Sequence, residues 1–284
     1  MDYHTHHYRC GHAKGVIEDY IQEAVKKDLA EIGISEHFPV FEADEDPILT
    51  KLPKHYLGIP PEGFGAYIEE IKSLREKYKD RIQVKISTEV AFHTPGRYFE
   101  NQRKFLSLFM NDIDYLLCGI HDITIDGTEP VLFMPKKGPE NLKKHGERAI
   151  HTAYFKKMRH IIETGYFDIV THFDNQKLLW LPGEPAYPPD IWREILELLD
   201  MIKEKGMAVE INTMGTRKSC ASQFPSDAIV KELIKRDVPL TLSSDAHEPE
   251  HVAYEFAEFI QKAKPWGLSH LCTYTKRGRK LVSL

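Results

Sequence analysis

The chain opens MDYHTHHYRCGH, residues 1–12, and how this stretch is read decides the fold. It holds Asp2, His4, His6, His7 and His12 before any helical pattern begins. On an extended segment alternate side chains point the same way, so His4 and His6 face one side while Tyr3 and Thr5 face the other. Met1–Thr5 therefore reads as a buried strand that ends in two potential metal ligands.

Working outward, six more apolar runs suit buried strands: Glu31–Ser35, Gln83–Glu89, Asp114–Cys118, Asp168–Thr171, Ala208–Asn212 and Leu240–Ser244. Helical patterns separate them, an alternation that points to parallel βαβ construction. IEDYIQEAVKK aligns Ile17, Tyr20, Ile21, Ala24 and Val25 on one stripe, and IWREILELLDMIKEKG does the same with Ile191, Ile195, Leu198, Leu199 and Ile202 before Gly206. Further helices are expected over Gly65–Tyr78, Arg97–Phe109, Glu147–Thr164, Ser226–Lys235 and Pro249–Lys262. Seven strands alternating with helices predict an α/β barrel, closed or nearly so, with residues 1–284 as one domain. Two connections, Pro39–Phe64 and Asp122–His145, are longer than a plain barrel needs and read as lids or binding segments.

Composition narrows the function classes. The formal charge of −5 is mild and neither sign is blocked together, which argues against a nucleic-acid arm or a membrane-surface patch. No stretch approaches the roughly 20 apolar residues of a membrane span, and the N-terminus lacks the pattern of a signal peptide. Cys10, Cys118, Cys220 and Cys272 are scattered, as in a reduced cytoplasmic protein. The 15 histidines are the compositional anomaly, and they too are spread along the chain.

Parallel α/β barrels carry reactive groups at the C-terminal ends of their strands. His4, His6 and His12 follow the first expected strand, and His37 follows the second in ISEHF. The third ends at Glu89, the fourth leads into His121 in CGIHD, and the fifth into His172 in VTHFD. The seventh ends at Asp245 and His247 in SSDAH. Any one of these has an ordinary reading as a cap or a hydrogen-bonding residue. Nine imidazole and carboxylate groups on one rim are crowded without cations between them, and such donor sets suit zinc, iron or manganese.

In order, DYHTHHYRCGH, ISEH, STE, GIHD, THFD, EINTMGTRK and SSDAH resemble the motifs of the polymerase and histidinol phosphatase (PHP) family, over nearly the whole chain. Within it the sequence is most similar to the histidinol-phosphate phosphatases. The resemblance implies a distorted seven-stranded (βα)7 TIM-like barrel and a site for three divalent ions. It places His4, His6, Glu89 and Asp245 on the first ion, Glu89, His121 and His172 on the second, and His12, His37 and His247 on the third. Amidohydrolases, the competing HxH barrels, usually bridge their metals with a carboxylated lysine, and no strand-end lysine fits that role.

Two close metals acidify a shared water and bind phosphoryl oxygens, so the expected reaction is in-line attack of a bridging hydroxide on a phosphomonoester. The chain has no Walker-type glycine loop, which leaves the metals and a few cations to hold the phosphate. Arg217 in EINTMGTRK is the first candidate cation and Lys177 in HFDNQKLL the second. Asp2, Glu36, Asp122 and Asp174 stand beside ligand histidines and are candidates to accept their second N–H. CGIHDITIDGTEP departs from the GSVH pattern of many relatives, in a segment expected to shape the leaving-group pocket. The expected substrate is histidinol phosphate, with another small phosphate ester such as a nucleotide or sugar phosphate as the alternative. A polymerase-accessory role fits less well with the complete ligand set.

Overall fold

A computed structural model describes residues 1–39, 58–92, 97–125, 130–180 and 185–284. Eight α-helices are seen among them: α1 (Ile17–Lys26), α2 (Pro61–Tyr78), α3 (Arg97–Leu106), α4 (Gly138–His145), α5 (Glu147–Thr164), α6 (Pro189–Glu204), α7 (Asp227–Lys235) and α8 (Phe256–Ala263). Their apolar stripes do what the spacing dictates. Ile17, Tyr20, Ile21 and Ala24 of α1 are buried, as are Ile191, Ile195, Leu198, Leu199 and Ile202 of α6, which starts with a proline in its first turn.

Six strands form one wholly parallel sheet, in the order β1 (Glu31–Ile34), β2 (Gln83–Ala91), β3 (Tyr115–Gly119), β6 (Ile169–Val170), β7 (Ala208–Asn212) and β8 (Leu240–Ser243). The intervening numbers belong to a two-residue antiparallel pair, β4 (Asp122–Ile123) and β5 (Val131–Leu132).

The expected first strand is not a regular ladder. Met1–Thr5 makes one parallel bridge at each end, Asp2 to Ile32 on β1 and Thr5 to Ala246 just past β8. Gly33 N–H donates to Asp2 O at 2.7 Å, and His6 N–H donates to Ala246 O at 2.9 Å. One five-residue segment thus bonds to both outer strands, so the sheet must curl until its edges nearly meet. The bonds pass from one edge to the other within a few residues, which leaves no room for a ladder on either side. Among the described residues the parallel sheet therefore has six regular strands, with Met1–Thr5 as a bridging segment between its edges.

Other expectations shift for local reasons. Asp122–His145 is not a plain loop, since it contains the β4–β5 pair and α4. Of Pro39–Phe64, residues 40–57 lie outside the described part, and α2 already starts at Pro61. The helix expected from Pro249 is broken: a 3₁₀ turn covers Pro249–His251, and α8 starts only at Phe256 because Ala253 and Glu255 both sit at φ 55°.

A C-terminal hairpin, β9 (His270–Thr275) and β10 (Gly278–Ser283), had no sequence expectation. Cys272 and Tyr274 pack with Tyr3, Tyr115, Leu117, Ile169 and Ala208 inside the curl. Tyr3 stacks on Tyr115 with ring centroids 4.6 Å apart, and Tyr274 N–H donates to the Tyr3 hydroxyl at 3.0 Å. The end of the curl where β3 and β7 begin is thus filled with aromatic side chains, leaving the opposite rim for chemistry. Among the described residues no helix is long and apolar enough to cross a membrane.

Gly33 is required by this packing, because a β-carbon there would sit 1.7 Å from the Tyr115 hydroxyl oxygen. Gly33→Ala should cost about 3 kcal/mol, read as a lower urea midpoint. An unchanged midpoint would show that the aromatic plug is not close-packed.

Candidate metal centre

The strand ends bring the expected ligands together. His4 comes from the bridging segment, His6 follows it directly, and His37 comes from the turn after β1, where it forms a parallel bridge to Glu89 of β2. His121 follows β3, His172 follows β6, and Asp245 and His247 follow β8. Three clusters have ligand atoms within 4.8 Å of one another: His4, His6 and Asp245; Glu89, His121 and His172; and His6, His37 and His247. His12 joins the third cluster at its edge, with its Nε2 3.1 Å from His247 Nε2.

Glu89 lies at the middle. Its Oε1 is 3.1 Å from His121 Nε2 and 2.9 Å from His172 Nε2, and its Oε2 is 2.8 Å from His37 Nδ1 and 3.5 Å from His4 Nε2. Gly119 makes this possible, since a β-carbon there would stand 2.4 Å from Thr171 Oγ1, 2.5 Å from His172 Cε1 and 2.9 Å from Glu89 Oε1.

Metal ions fit these donors. Glu89 Oε2 and Asp245 Oδ1 are buried and accept no hydrogen bond among the described residues, although imidazole nitrogens lie nearby. His4 Nε2 and His6 Nε2 face each other at 2.9 Å. Oxygens left without donors beside nitrogens turned toward each other are what a ligand set presents to cations.

The electrostatics divide the ring. At Glu89 the burial penalty on charge is outweighed by His121, His4 and His37, which hold the carboxyl well below its usual range. At His6 burial is outweighed by Asp245 and Glu36, and its pKa rises to about 9. His4 is likewise raised, by Asp245, Glu210 and Glu89 against burial. Burial wins at His12 and His37, pushed down to about 4, and at His247, pushed down to about 3. The last three are thus neutral lone-pair donors near pH 7.

Supporting carboxylates only partly match expectation. Glu36 accepts from His6 Nδ1 at 2.9 Å and from the His7 N–H at 2.8 Å. Asp2 instead binds Ser244 and the Ala253 N–H, Asp122 pairs with Lys157, and Asp174 accepts from the Ser226 N–H and Tyr187. Asp122 directly follows His121, and adjacent side chains on extended backbone point apart. Asp2 and Asp174 stand two residues from His4 and His172, and donors from other elements take them up instead. The partner of His4 is Glu210, 2.7 Å from its Nδ1, which sequence reasoning missed. Its signal was a lone carboxylate inside the apolar run AVEIN. His7 is buried beside Glu36 and Tyr67, away from the cavity lining, with its pKa pushed by burial to about 4.

The rim opens into a cavity of about 810 Å³ lined by His12, His37, Glu89, His121, His172, Asp245 and His247, with Arg217 and Lys218 beside them. Arg217 Nη2 donates to Ser244 O at 2.9 Å and the guanidinium lies over Tyr254, while Nη1 is buried with no partner among the described residues. Lys177 is placed otherwise than expected. It is fully buried and absent from the lining, and its ammonium donates to Gln223 O, pairs with Asp174 and lies over Phe224. Arg9 is held by Glu70. Phe133, Met134, Leu178 and Met214 form an apolar wall with Asn175 among them.

A family model described as PHP domain matches residues 2–214. A protein of Deinococcus radiodurans named "Probable histidinol-phosphatase" is 28% identical over 99% of this chain and 97% of its own length. The "Histidinol-phosphatase" of Bacillus subtilis is 24% identical over 92% of this chain and 98% of its own. A structure of histidinol phosphate phosphatase from Lactococcus lactis, complexed with zinc, L-histidinol and phosphate, superposes with a TM-score of 0.73 at 21% identity, covering 98% of both chains. It shares the α/β fold.

Two outcomes follow from the geometry. Gly119→Ala should weaken zinc binding about tenfold or more in a chelator competition, with the far-ultraviolet spectrum retained; unchanged affinity would mean Glu89 and His172 need no such close approach. For the metal-free protein, His12, His37 and His247 sit below the ordinary 6.5, so the unfolded chain takes up protons first and stability falls as pH drops from 6.5 toward 3. His6 sits above it, at about 9, so its contribution is lost as pH rises from 6.5 toward 9, and His4, raised well above the ordinary value, acts in the same direction. Melting temperature in chelator should peak near pH 6.5, and a steady rise to pH 9 would contradict the charge assignment.

Proposed function

The chain belongs to the PHP-domain family, and on that premise we propose that it is a metal-dependent phosphomonoesterase, a histidinol-phosphatase that releases phosphate from L-histidinol phosphate in histidine biosynthesis. The observation that carries the reading is the pair of buried carboxylate oxygens on Glu89 and Asp245 that accept no hydrogen bond among the described residues, set amid imidazole nitrogens and opening onto a cavity with a half-buried arginine. The relatives named histidinol-phosphatase align over nearly their full length, which supports the substrate. The reading takes residues 1–284 as one domain. It also takes Met1–Thr5 as the seventh stave of a distorted (βα)7 barrel.

Three divalent ions, zinc, iron or manganese, are assigned to the site. His4, His6, Asp245 and Glu89 would hold the first, Glu89, His121 and His172 the second, and His12, His37 and His247 the third. When bound, such ions supply an acidified water as nucleophile and neutralise phosphoryl charge. The chain's own groups do the rest. Arg217 lines the cavity with its guanidinium anchored at Ser244 O through Nη2, and its buried Nη1 has no partner among the described residues, so turning it toward a phosphoryl oxygen would break no hydrogen bond. Phe133, Met134, Leu178 and Met214 cover the leaving group and keep bulk water from the ester. Lys177 holds the loop behind the site through Gln223 O and Asp174.

The test is phosphate release from histidinol phosphate, nucleotides and sugar phosphates by protein reconstituted with each metal. Histidinol phosphate should have the highest kcat/KM. Arg217→Ala should lose on the order of 100-fold in kcat/KM, and His6→Ala should lose nearly all activity. Preference for another ester would overturn the substrate, and an active His6→Ala would overturn the metal-dependent reaction.

A further inference from the structure

Glu210, in the middle of β7, is fully buried, yet it accepts hydrogen bonds on both carboxylate oxygens from residues on two other elements. Oε1 is 2.7 Å from His4 Nδ1. Oε2 accepts the main-chain N–H of His172 at 2.9 Å and the Asn212 amide at 3.0 Å. The same Asn212 amide donates to Asp245 Oδ2 at 3.1 Å, which leaves Asp245 Oδ1 as the oxygen without a donor. His4 and Asp245 belong to one ligand cluster and His172 to another.

Resting on the metal-centre reading above, we propose that Glu210 is a positioning residue coupling two metal clusters, holding His4 with its Nε2 free for an ion while clamping the main chain of His172. An imidazole that donates from Nδ1 to a carboxylate keeps its Nε2 lone pair for a metal, and the acceptor's charge makes that lone pair more basic. The clamp on His172 has a second cause. His172 stands at φ 25°, in the sparsely populated left-handed region for a side chain that is not glycine, and it needs an external acceptor to stay there. Asn212 extends the link to Asp245, which stands at φ 49°. One buried carboxylate and its neighbouring amide therefore set the orientation of ligands arriving from three separate strand ends.

The carboxylate is specifically required because it can accept on both oxygens. Glutamine keeps the shape but presents one acceptor and one amine, so either His4 Nδ1–H or the His172 N–H would face a donor. Glu210→Gln should weaken zinc binding 10- to 100-fold in a chelator competition without substrate, while circular dichroism shows a folded apoprotein. Leu199→Ala, a core change in α6 away from the rim, should lower the melting temperature and leave zinc affinity unchanged. If Glu210→Gln binds zinc like wild type, or if Leu199→Ala loses as much affinity, the inference is overturned.

Should the glutamine apoprotein fail to fold, ¹⁵N histidine spectra of zinc-loaded wild type decide. A proton on His4 Nδ1 and zinc on Nε2 support the assignment, and the reverse tautomer overturns it. Zinc binding by wild type without histidinol phosphate hydrolysis would overturn the substrate reading alone. Failure of wild type to bind zinc would overturn both.

Discussion

One buried carboxylate, Glu89, constrains the rest of the molecule. Its two oxygens lie within 3.1 Å of imidazoles from three other strand ends, His37, His121 and His172, and the side chain is 1% exposed. A carboxylate so placed is costly unless it is paired, and its surroundings hold it ionised. Parallel strands deliver that arrangement because all their C-terminal ends lie on one rim. The curl then brings β8 round to the bridging segment, so Asp245 can meet His4 and His6, with Asp245 Oδ1 3.3 Å from His6 Nε2. Gly119 removes the one β-carbon that would stand where Glu89 and His172 approach each other.

The two ends of the curl do different work. At one end Tyr3, Tyr115, Cys272 and Tyr274 pack closely and the hydroxyls of Tyr3 and Tyr115 are hydrogen-bonded, which anchors the bridging segment. At the other end His4, with His6 just after the segment, meets Asp245 in a buried ligand cluster beneath the cavity. Alternation along five residues thus joins a rigid plug to a polar rim. The opening stretch divides further. His12 stands at the outer edge beside His247, and His7 turns inward to Glu36 and Tyr67. Four histidines close in sequence therefore occupy three different environments.

Much of this was legible in the sequence because strand ends are marked both by where apolar runs stop and by the polar residue that follows. That logic located His37, His121, His172, Asp245 and His247 without any knowledge of pairing. It could not locate Glu210, which sits inside a strand and acts through residues more than thirty positions away. Nor could it assign the partners of Asp2, Asp122 and Asp174, because these come from other elements that only the fold brings alongside: Ser244 and Ala253, Lys157, and Ser226 and Tyr187. Lys177 looked like a loop cation, but tertiary packing buried it against Phe224. Periodicity predicted a first strand, whereas the curl made Met1–Thr5 a bridge between two edges. The β9–β10 hairpin escaped notice because β10 is exposed along its whole length and shows no alternation.

Anomalous diffraction from crystals of the metal-loaded protein, collected on either side of the metal's absorption edge, tests the central claim most directly. The account predicts peaks inside the clusters His4–His6–Asp245 and Glu89–His121–His172, with Glu89 shared, and a further peak among His12, His37 and His247. A rim without peaks, with Glu89 still enclosed by its imidazoles, would contradict it.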